Sequence, residues 1–302
     1  MTARGHGRQV WCLAAAALLA ALPALSPAAD QHPHASAPYV PTPANVVDAM
    51  LKLANVGPKD FVIDLGSGDG RIVIAAAKKH GASGFGVDID GALVSGARRE
   101  AERQGVAGRV EFREQNLFIT EIGRATVLTL YLYPQLLMQL RPRMFGELKP
   151  GTRIVSHDFD MENWRPDAHV TVPVPDKPYG PPTSEVYLWV VPANAAGVWR
   201  WRSEGSGAAD YELALRQTFQ MLEGSPSGGG GARRLGSGRV HGDAITFALV
   251  AAPGAVREEY SGRIEGDAIS GKVRFGNDER EWRATRVQRG GINIDPAAPV
   301  IK

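Results

Sequence analysis

FVIDLGSGDGRIVIAAAKKHGASGFGVDID, residues 61–90, decides the fold of this 302-residue chain. Phe61 to Leu65 is an apolar run of strand length, Gly66 to Gly70 is a glycine-rich turn, and Arg71 to His80 has helical spacing. Gly84 to Val87 is a second apolar strand, ending on Asp88. This is the opening βαβ unit of a doubly wound, Rossmann-like α/β sheet, which binds its ligand at the carboxyl ends of the strands. Glycines make the turn tight and let a ligand approach the backbone. An acid 18 residues beyond Gly70 is placed to accept from two ribose hydroxyls, so the expected ligand contains a nucleoside.

The turn also says which nucleoside. A dinucleotide site reads G-x-G-x-x-G and turns its helix N-terminus toward a pyrophosphate. Here the spacing is G-x-G-x-G, with Asp64 before the turn and Asp69 inside it. A carboxylate repels a phosphate by about 4 kcal/mol at roughly 4 Å and an effective dielectric constant near 20. Two acids suit a ligand that carries an ammonium and a sulfonium, S-adenosyl-L-methionine. A turn that merely joins strand to helix would explain the glycines but leave the acids unaccounted for.

Asp64-Leu65-Gly66-Ser67-Gly68-Asp69-Gly70 resembles the first motif of the class I S-adenosylmethionine-dependent methyltransferases. The blocks PYVPTP, DLGSGDGRIVIAAA, GFGVDID, VLTLYLYPQL, LKPGTRIVSHDF and W-x-P-D (Trp164 to Asp167) narrow the likeness. Together they are similar to a bacterial group related to the lysine methyltransferases that act on the c-type ring protein of ATP synthase. The resemblance spans Pro38 to Pro192 and implies cofactor binding and N-methylation of a protein lysine. It implies that Tyr39 and Thr42 lie over the methionine end of the cofactor. Asp64, Gly66, Ser67, Gly68, Asp69 and Gly70 form its cradle, and Asp88, with Ile89 beside it, holds the ribose. Relatives often place an Asp where this chain has Asn116, followed by Leu117; an Asn accepts from the adenine amino group through its carbonyl oxygen but without the charge.

Methyl transfer is an in-line displacement, in which positioning and exclusion of water do most of the work. It requires no metal and no enzyme nucleophile. A lysine acceptor attacks as the neutral amine, which desolvation favours. The acceptor, protein or small molecule, is expected beyond the fourth strand, at Leu130-Tyr131-Leu132-Tyr133-Pro134. The Tyr131 and Tyr133 hydroxyls and His157, in Ser156-His157-Asp158, are the candidates for orienting it. Core tyrosines and a structural histidine are the competing readings. Asp176 to Thr183 reads as a loop bordering the acceptor entrance.

Arg4 and Arg8 precede an apolar run from Val10 to Leu25 and small residues up to Ala29, the pattern of an export signal. Interrupted by Pro23, the run is short of the ~20 residues of a membrane span. A cleaved leader and export are therefore expected, with an N-terminal membrane anchor as the alternative. The single cysteine, Cys12, lies in the leader, so a cleaved chain has no disulfide. Residues 30–37, with His32 and His34, read as a solvated linker. A net charge of +2 and no basic stretch interleaved with aromatics argue against nucleic acid as a partner.

Residues 38–196 thus form the expected cofactor-binding domain. From Gly197 the composition changes to short alternating segments broken by glycine. Tyr211, Leu213, Leu215, Phe219 and Met221 suggest one half-buried strand, and Ser225 to Gly231 a Gly/Ser loop. Gly238-Arg-Val-His-Gly-Asp-Ala-Ile245 repeats as Gly262-Arg-Ile-Glu-Gly-Asp-Ala-Ile269, each with Gly-Asp as a hairpin turn. Residues 197–288 are expected to form a small antiparallel β barrel or sandwich of six to eight strands, and 289–302 a loose tail. Two functions follow: an exported or tethered methyltransferase, or an exported binder that keeps the nucleoside fold without catalysis. Export favours the second, because S-adenosylmethionine is made in the cytoplasm; the intact acid and glycine set favours the first.

Overall fold

The computed structural model describes residues 1–2, 39–203, 208–229, 232–251 and 257–294. The expected leader, the histidine-bearing linker and the last eight residues of the tail lie outside the described residues. Met1–Tyr39 and Val40–Lys302 are separate units, and the second holds the whole architecture that follows.

Helix α1 (Ala44–Leu53) precedes a seven-stranded sheet built from β1 (Phe61–Leu65), β2 (Ser83–Asp88), β3 (Val110–Glu114), β4 (Val127–Leu130), β5 (Arg153–His157), β6 (Ala168–Pro173) and β7 (Thr183–Val190). Helices α2 (Arg71–His80), α3 (Gly91–Arg103) and α4 (Pro134–Glu147) follow β1, β2 and β4. The strand order is β3-β2-β1-β4-β5-β7-β6. The pairs through β5 are parallel, and β7 runs antiparallel to both neighbours. The order reverses direction between β1 and β4, which is where an open α/β sheet offers its crevice. Parallel strands covered on both faces must be apolar throughout; β4 is accordingly buried along its whole length. One face packs on α1 and α2 through Met50, Leu51, Ile72 and Ala76, and the other on α4 through Leu137, Leu140 and Met144.

Edge strand β6 has no counterpart in the sequence reading, because its side chains are half-buried or exposed and carry no core pattern. Ahead of it, residues 158–167 form no helix.

The remaining strands are β8 (Gly197–Arg202), β9 (Asp210–Thr218), β10 (Met221–Gly228), β11 (Arg234–Leu235), β12 (Gly238–His241), β13 (Ala244–Val250), β14 (Glu258–Glu265), β15 (Ala268–Phe275), β16 (Asp278–Arg289) and β17 (Ile292–Asn293). Eight of them run β10-β12-β13-β14-β15-β16-β8-β9, and β9 pairs back onto β10, so the sheet closes as an antiparallel barrel. Closure removes the exposed edges that an open sheet would leave. Barrels of this size are just wide enough for side chains to fill; here Trp199, Trp201, Tyr211, Phe247, Tyr260 and Trp282 fill the interior. Gly242-Asp243 and Gly266-Asp267 are two-residue hairpin turns, with the glycine at φ 61° in both. Positive φ at the first central residue is what the type II′ hairpin turn requires.

Three expectations for this region change. The period-two run from Tyr211 to Met221 is two strands, because Phe219 takes φ 51° and turns the chain between β9 and β10. Ser225 to Gly228, expected in a loop, belongs to β10 and pairs with β9 along its length. The tail is tied down as far as Ile294: β17 pairs with β9, and the Ile294 carbonyl accepts from Arg141 at 3.3 Å.

The barrel and the α/β sheet share a core. Phe219 stacks on Trp164 with centroids 5.8 Å apart and joins the cluster that contains Trp189 and α4. Asp167, of the W-x-P-D block, accepts from the Val190 N–H at 2.8 Å and from Arg239 on β12, with His241 at 3.3 Å. Among the described residues, no helix is long and apolar enough to cross a membrane.

Candidate functional site

The site lies at the carboxyl ends of β1, β2, β4 and β5, and the turn after β1 sets its shape. The Gly66 and Ser67 N–H groups donate to the Val87 carbonyl at 2.9 and 2.8 Å, tying the turn to β2. Gly70 caps α2 at φ 77°, and a Cβ there would meet the Phe112 ring at 2.5 Å, so conformation and space both demand glycine. Asp88, at the end of β2, accepts from the Gly68 N–H at 2.8 Å and from the Asp90 N–H at 3.0 Å. Those two bonds fix its carboxylate at the mouth of the turn and leave lone pairs for ligand hydroxyls.

Asp64 is almost wholly buried and accepts from the Thr129 hydroxyl at 2.8 Å. Burial, joined by the charges of Asp88 and Asp69, pushes its carboxyl up to about 7. Such a group calls for a cation and is strongly relieved by one. Asp69 is placed otherwise than the sequence suggested. Its carboxylate takes the Arg71 guanidinium at 2.6–3.1 Å, and Arg71 also donates to the Thr42 carbonyl at 2.9 Å. Asp69 therefore shapes the segment before α1 through Arg71, and Asp64 is the acid most dependent on a ligand's positive charge.

Thr42 is buried, and its hydroxyl is hydrogen-bonded to His157 Nδ1 at 3.2 Å. The other ring nitrogen meets Ser184 Oγ at 2.9 Å. With 1% of its surface exposed, His157 is held neutral by burial, at about 4. Both nitrogens are engaged inside the protein, so His157 locks Thr42 in place rather than serving as a base for the acceptor. Tyr131 packs on the His157 ring with centroids 3.9 Å apart, and burial followed by the Asp158 charge raises its hydroxyl to about 12. Tyr131 thus stays a protonated donor at any physiological pH. Tyr133 is exposed, and its ring lies 5.9 Å from that of Phe159.

At the adenine end, Asn116 spends an amide-oxygen bond on its own turn, accepting from the Phe118 N–H at 2.8 Å. Ile89 is exposed and Leu117 half-buried, a pair of apolar side chains beside Asp88 and Asn116. Tyr39 lies in the other unit and is itself exposed.

The residues present suit S-adenosylmethionine: a raised buried carboxyl for its positive end, a fixed acid for its ribose, and the buried Ser67 hydroxyl without a partner in the cradle. Sequence reasoning missed Arg71, Thr129, Ser184 and Asp158, and each acts through a partner distant in sequence. Arg71 alone had a local signal, directly after the turn.

Known methyltransferases are similar in sequence to part of this chain. A profile described as the ANTKMT methyltransferase domain matches residues 64–168. A protein-lysine N-methyltransferase of Saccharolobus islandicus (strain REY15A) is 42% identical over 155 residues, covering 51% of this chain and 93% of that protein. The chain belongs to that methyltransferase family. The human ATP synthase c-subunit lysine N-methyltransferase is 34% identical over 134 residues, covering 44% of this chain and 56% of that protein. This chain thus spans little more than half the length of its human relative. A crystal structure of an RNA methyltransferase from Salinibacter ruber with S-adenosyl-L-homocysteine is 52% identical, covering 50% of this chain and 93% of that one, at a TM-score of 0.46. The protein is a class I S-adenosylmethionine-dependent methyltransferase, and the competing reading as a non-catalytic binder gives way. The matches to the archaeal and human relatives cover about half the chain or less.

Proposed function

We propose that this methyltransferase acts on the side-chain amine of a protein lysine, and that it does so outside the cytoplasm. The acceptor reading is supported by the archaeal relative, a protein-lysine N-methyltransferase that the chain matches over 93% of its length. Its chemistry fits the rim beyond β4. Bound cofactor supplies a methyl carbon on a positively charged sulfur, and the acceptor amine must meet it in line as the free base. Asp64 and Asp88, with the turn between Gly66 and Gly70, hold the cofactor. Ile89, Asn116 and Leu117 border its base, and Thr42 its methionine end. Tyr131 and Tyr133 orient the amine, while the aromatic rings beside them exclude water and so favour its neutral form.

The location reading rests on Arg4, Arg8 and the apolar run to Leu25, which form the pattern of an export signal. Retention of that segment would tether the enzyme to a membrane and present it to lysines of membrane proteins.

The acceptor is tested by incubating the full chain and methyl-labelled S-adenosylmethionine with a lysine-rich protein, the same protein with its lysines acetylated, and RNA. Label is expected in the first alone and should be recovered as N-methyl-lysine after hydrolysis. Label in RNA, or equal label in the acetylated protein, would overturn the lysine assignment.

A further inference from the structure

One cation already sits at the acceptor rim. Lys177 lies on the loop between β6 and β7, and its Nζ meets Asp158 Oδ2 at 2.7 Å and the Thr183 carbonyl at 2.8 Å. The side chains of Lys177 and Asp158 are only 10% and 15% exposed, so this is an ion pair largely withdrawn from water. Asp158 directly follows β5 and takes φ 61°, uncommon outside glycine. Hydrogen bonds with Glu185 hold it there, its N–H donating at 2.7 Å and its Oδ1 accepting from the Glu185 N–H at 3.0 Å. Oδ2 is the oxygen that takes Lys177, and it also lies 3.4 Å from His157 Nε2. Around it stand Tyr131, whose hydroxyl feels the Asp158 charge, and Phe159, whose ring lies 6.1 Å from Tyr131 and 5.9 Å from Tyr133. A carboxylate beside aromatic faces is a suitable receptor for an alkylammonium, by ion pairing and cation–π attraction together.

We infer that Asp158 is the seat on which the acceptor lysine's ammonium first docks, and that Lys177 is an internal stand-in the acceptor must displace. The inference rests on the proposal that the acceptor is a lysine, and it adds the residue that recognises it. The stand-in has the acceptor's own chemistry, a primary ammonium on a four-carbon stem. Its loop borders the rim: Tyr179, two residues on, is exposed and close enough to Tyr131 to influence its hydroxyl. The loop is held shut through the Val174 N–H, which donates to the Pro182 carbonyl at 2.8 Å, and through Lys177 itself. Removing the ammonium therefore takes the Lys177 charge off Oδ2, which keeps the neutral His157 ring at 3.4 Å, while the backbone closure remains. A purely structural ion pair would behave otherwise, since its loss would loosen the loop without opening a receptor.

The test uses the full chain saturated with S-adenosylhomocysteine and N-acetyl-lysine methylamide as the probe, with N-acetyl-norleucine methylamide as its uncharged control. Lys177→Met keeps the aliphatic stem and removes the competitor. It is expected to bind the probe about tenfold more tightly than the wild type, the scale of one charged hydrogen bond no longer contested. Norleucine binding should not change. Lys177→Met combined with Asp158→Asn should lose the gain, and Asn tolerates the positive φ at this position, so the fold is retained and circular dichroism verifies it. Equal or weaker probe binding by Lys177→Met, or a gain that survives Asp158→Asn, overturns the seat. A wild type that transfers no methyl group to any lysine would instead overturn the acceptor reading, and the binding result separates the two failures.

Discussion

The carboxyl of Asp64 makes cofactor affinity depend on pH in a way that can be worked out in advance. In the free protein it is pushed up from 3.8 to about 7 by burial and by Asp88 and Asp69. A raised acid is a destabilised anion: the penalty is absent below 3.8, grows as pH rises, and is complete above 7, with an upper bound of about 4 kcal/mol. A bound cation relieves that penalty, so binding is coupled to ionisation of Asp64. At pH 6 only about a tenth of the free protein carries the ionised form, and at pH 5 about a hundredth. The dissociation constant should therefore rise roughly tenfold per pH unit below 7 and level off above it. His157, at about 4, and Tyr131, at about 12, titrate outside this window. Equilibrium dialysis of labelled S-adenosylmethionine, which carries both the ammonium and the sulfonium, from pH 5 to 8.5 measures the profile. Asp64→Asn should flatten it and weaken binding at pH 8 by about 1.5–3 kcal/mol, the scale of a lost charged hydrogen bond. A flat wild-type profile, or an unchanged slope in Asp64→Asn, would refute the coupling.

Further expectations follow from single contacts. Asp88→Ala removes the acceptor fixed by the Gly68 and Asp90 N–H groups, and should weaken S-adenosylhomocysteine binding in dialysis by about 1.5–3 kcal/mol per charged ribose bond lost. Asp167→Ala leaves the Val190 N–H without its acceptor, at about 1–3 kcal/mol, while Arg239, whose side chain is 43% exposed, turns to solvent and adds little; calorimetric unfolding should fall by a few degrees. Residues 1–40 fused to a reporter active only outside the cytoplasm should give signal, and the released chain should begin near Ala29 or Asp30. A signal from a cytoplasmic reporter instead would overturn the export reading and remove the difficulty of cofactor supply.

The parts of this protein legible in its sequence are those whose signals are local. The βαβ unit from Phe61 to Asp88 follows from an apolar run, a glycine turn and an acid at a fixed distance. The hairpins at Gly242 and Gly266 follow from Gly-Asp between apolar strands. What escaped depends on partners far along the chain. Ser225 to Gly228 reads as a loop, yet its backbone closes the barrel against β9, and a hydrogen-bond ladder does not depend on side-chain type. Phe219 reads as part of a strand, but the pocket beside Trp164 draws it into a turn at positive φ. In the site, the acid and glycine positions were legible while their roles were only partly so. Asp69 is engaged by its near neighbour Arg71, a local contact, whereas His157 is bound at both nitrogens, to Thr42 before α1 and Ser184 on β7, which only the folded chain brings together.

Calorimetric titration of the full chain, with S-adenosylhomocysteine in one experiment and NAD in another, tests the central claim most directly. The G-x-G-x-G turn with its buried Asp64 should give stoichiometric binding of S-adenosylhomocysteine and none of the dinucleotide. Binding of NAD, or no heat with S-adenosylhomocysteine, would contradict it.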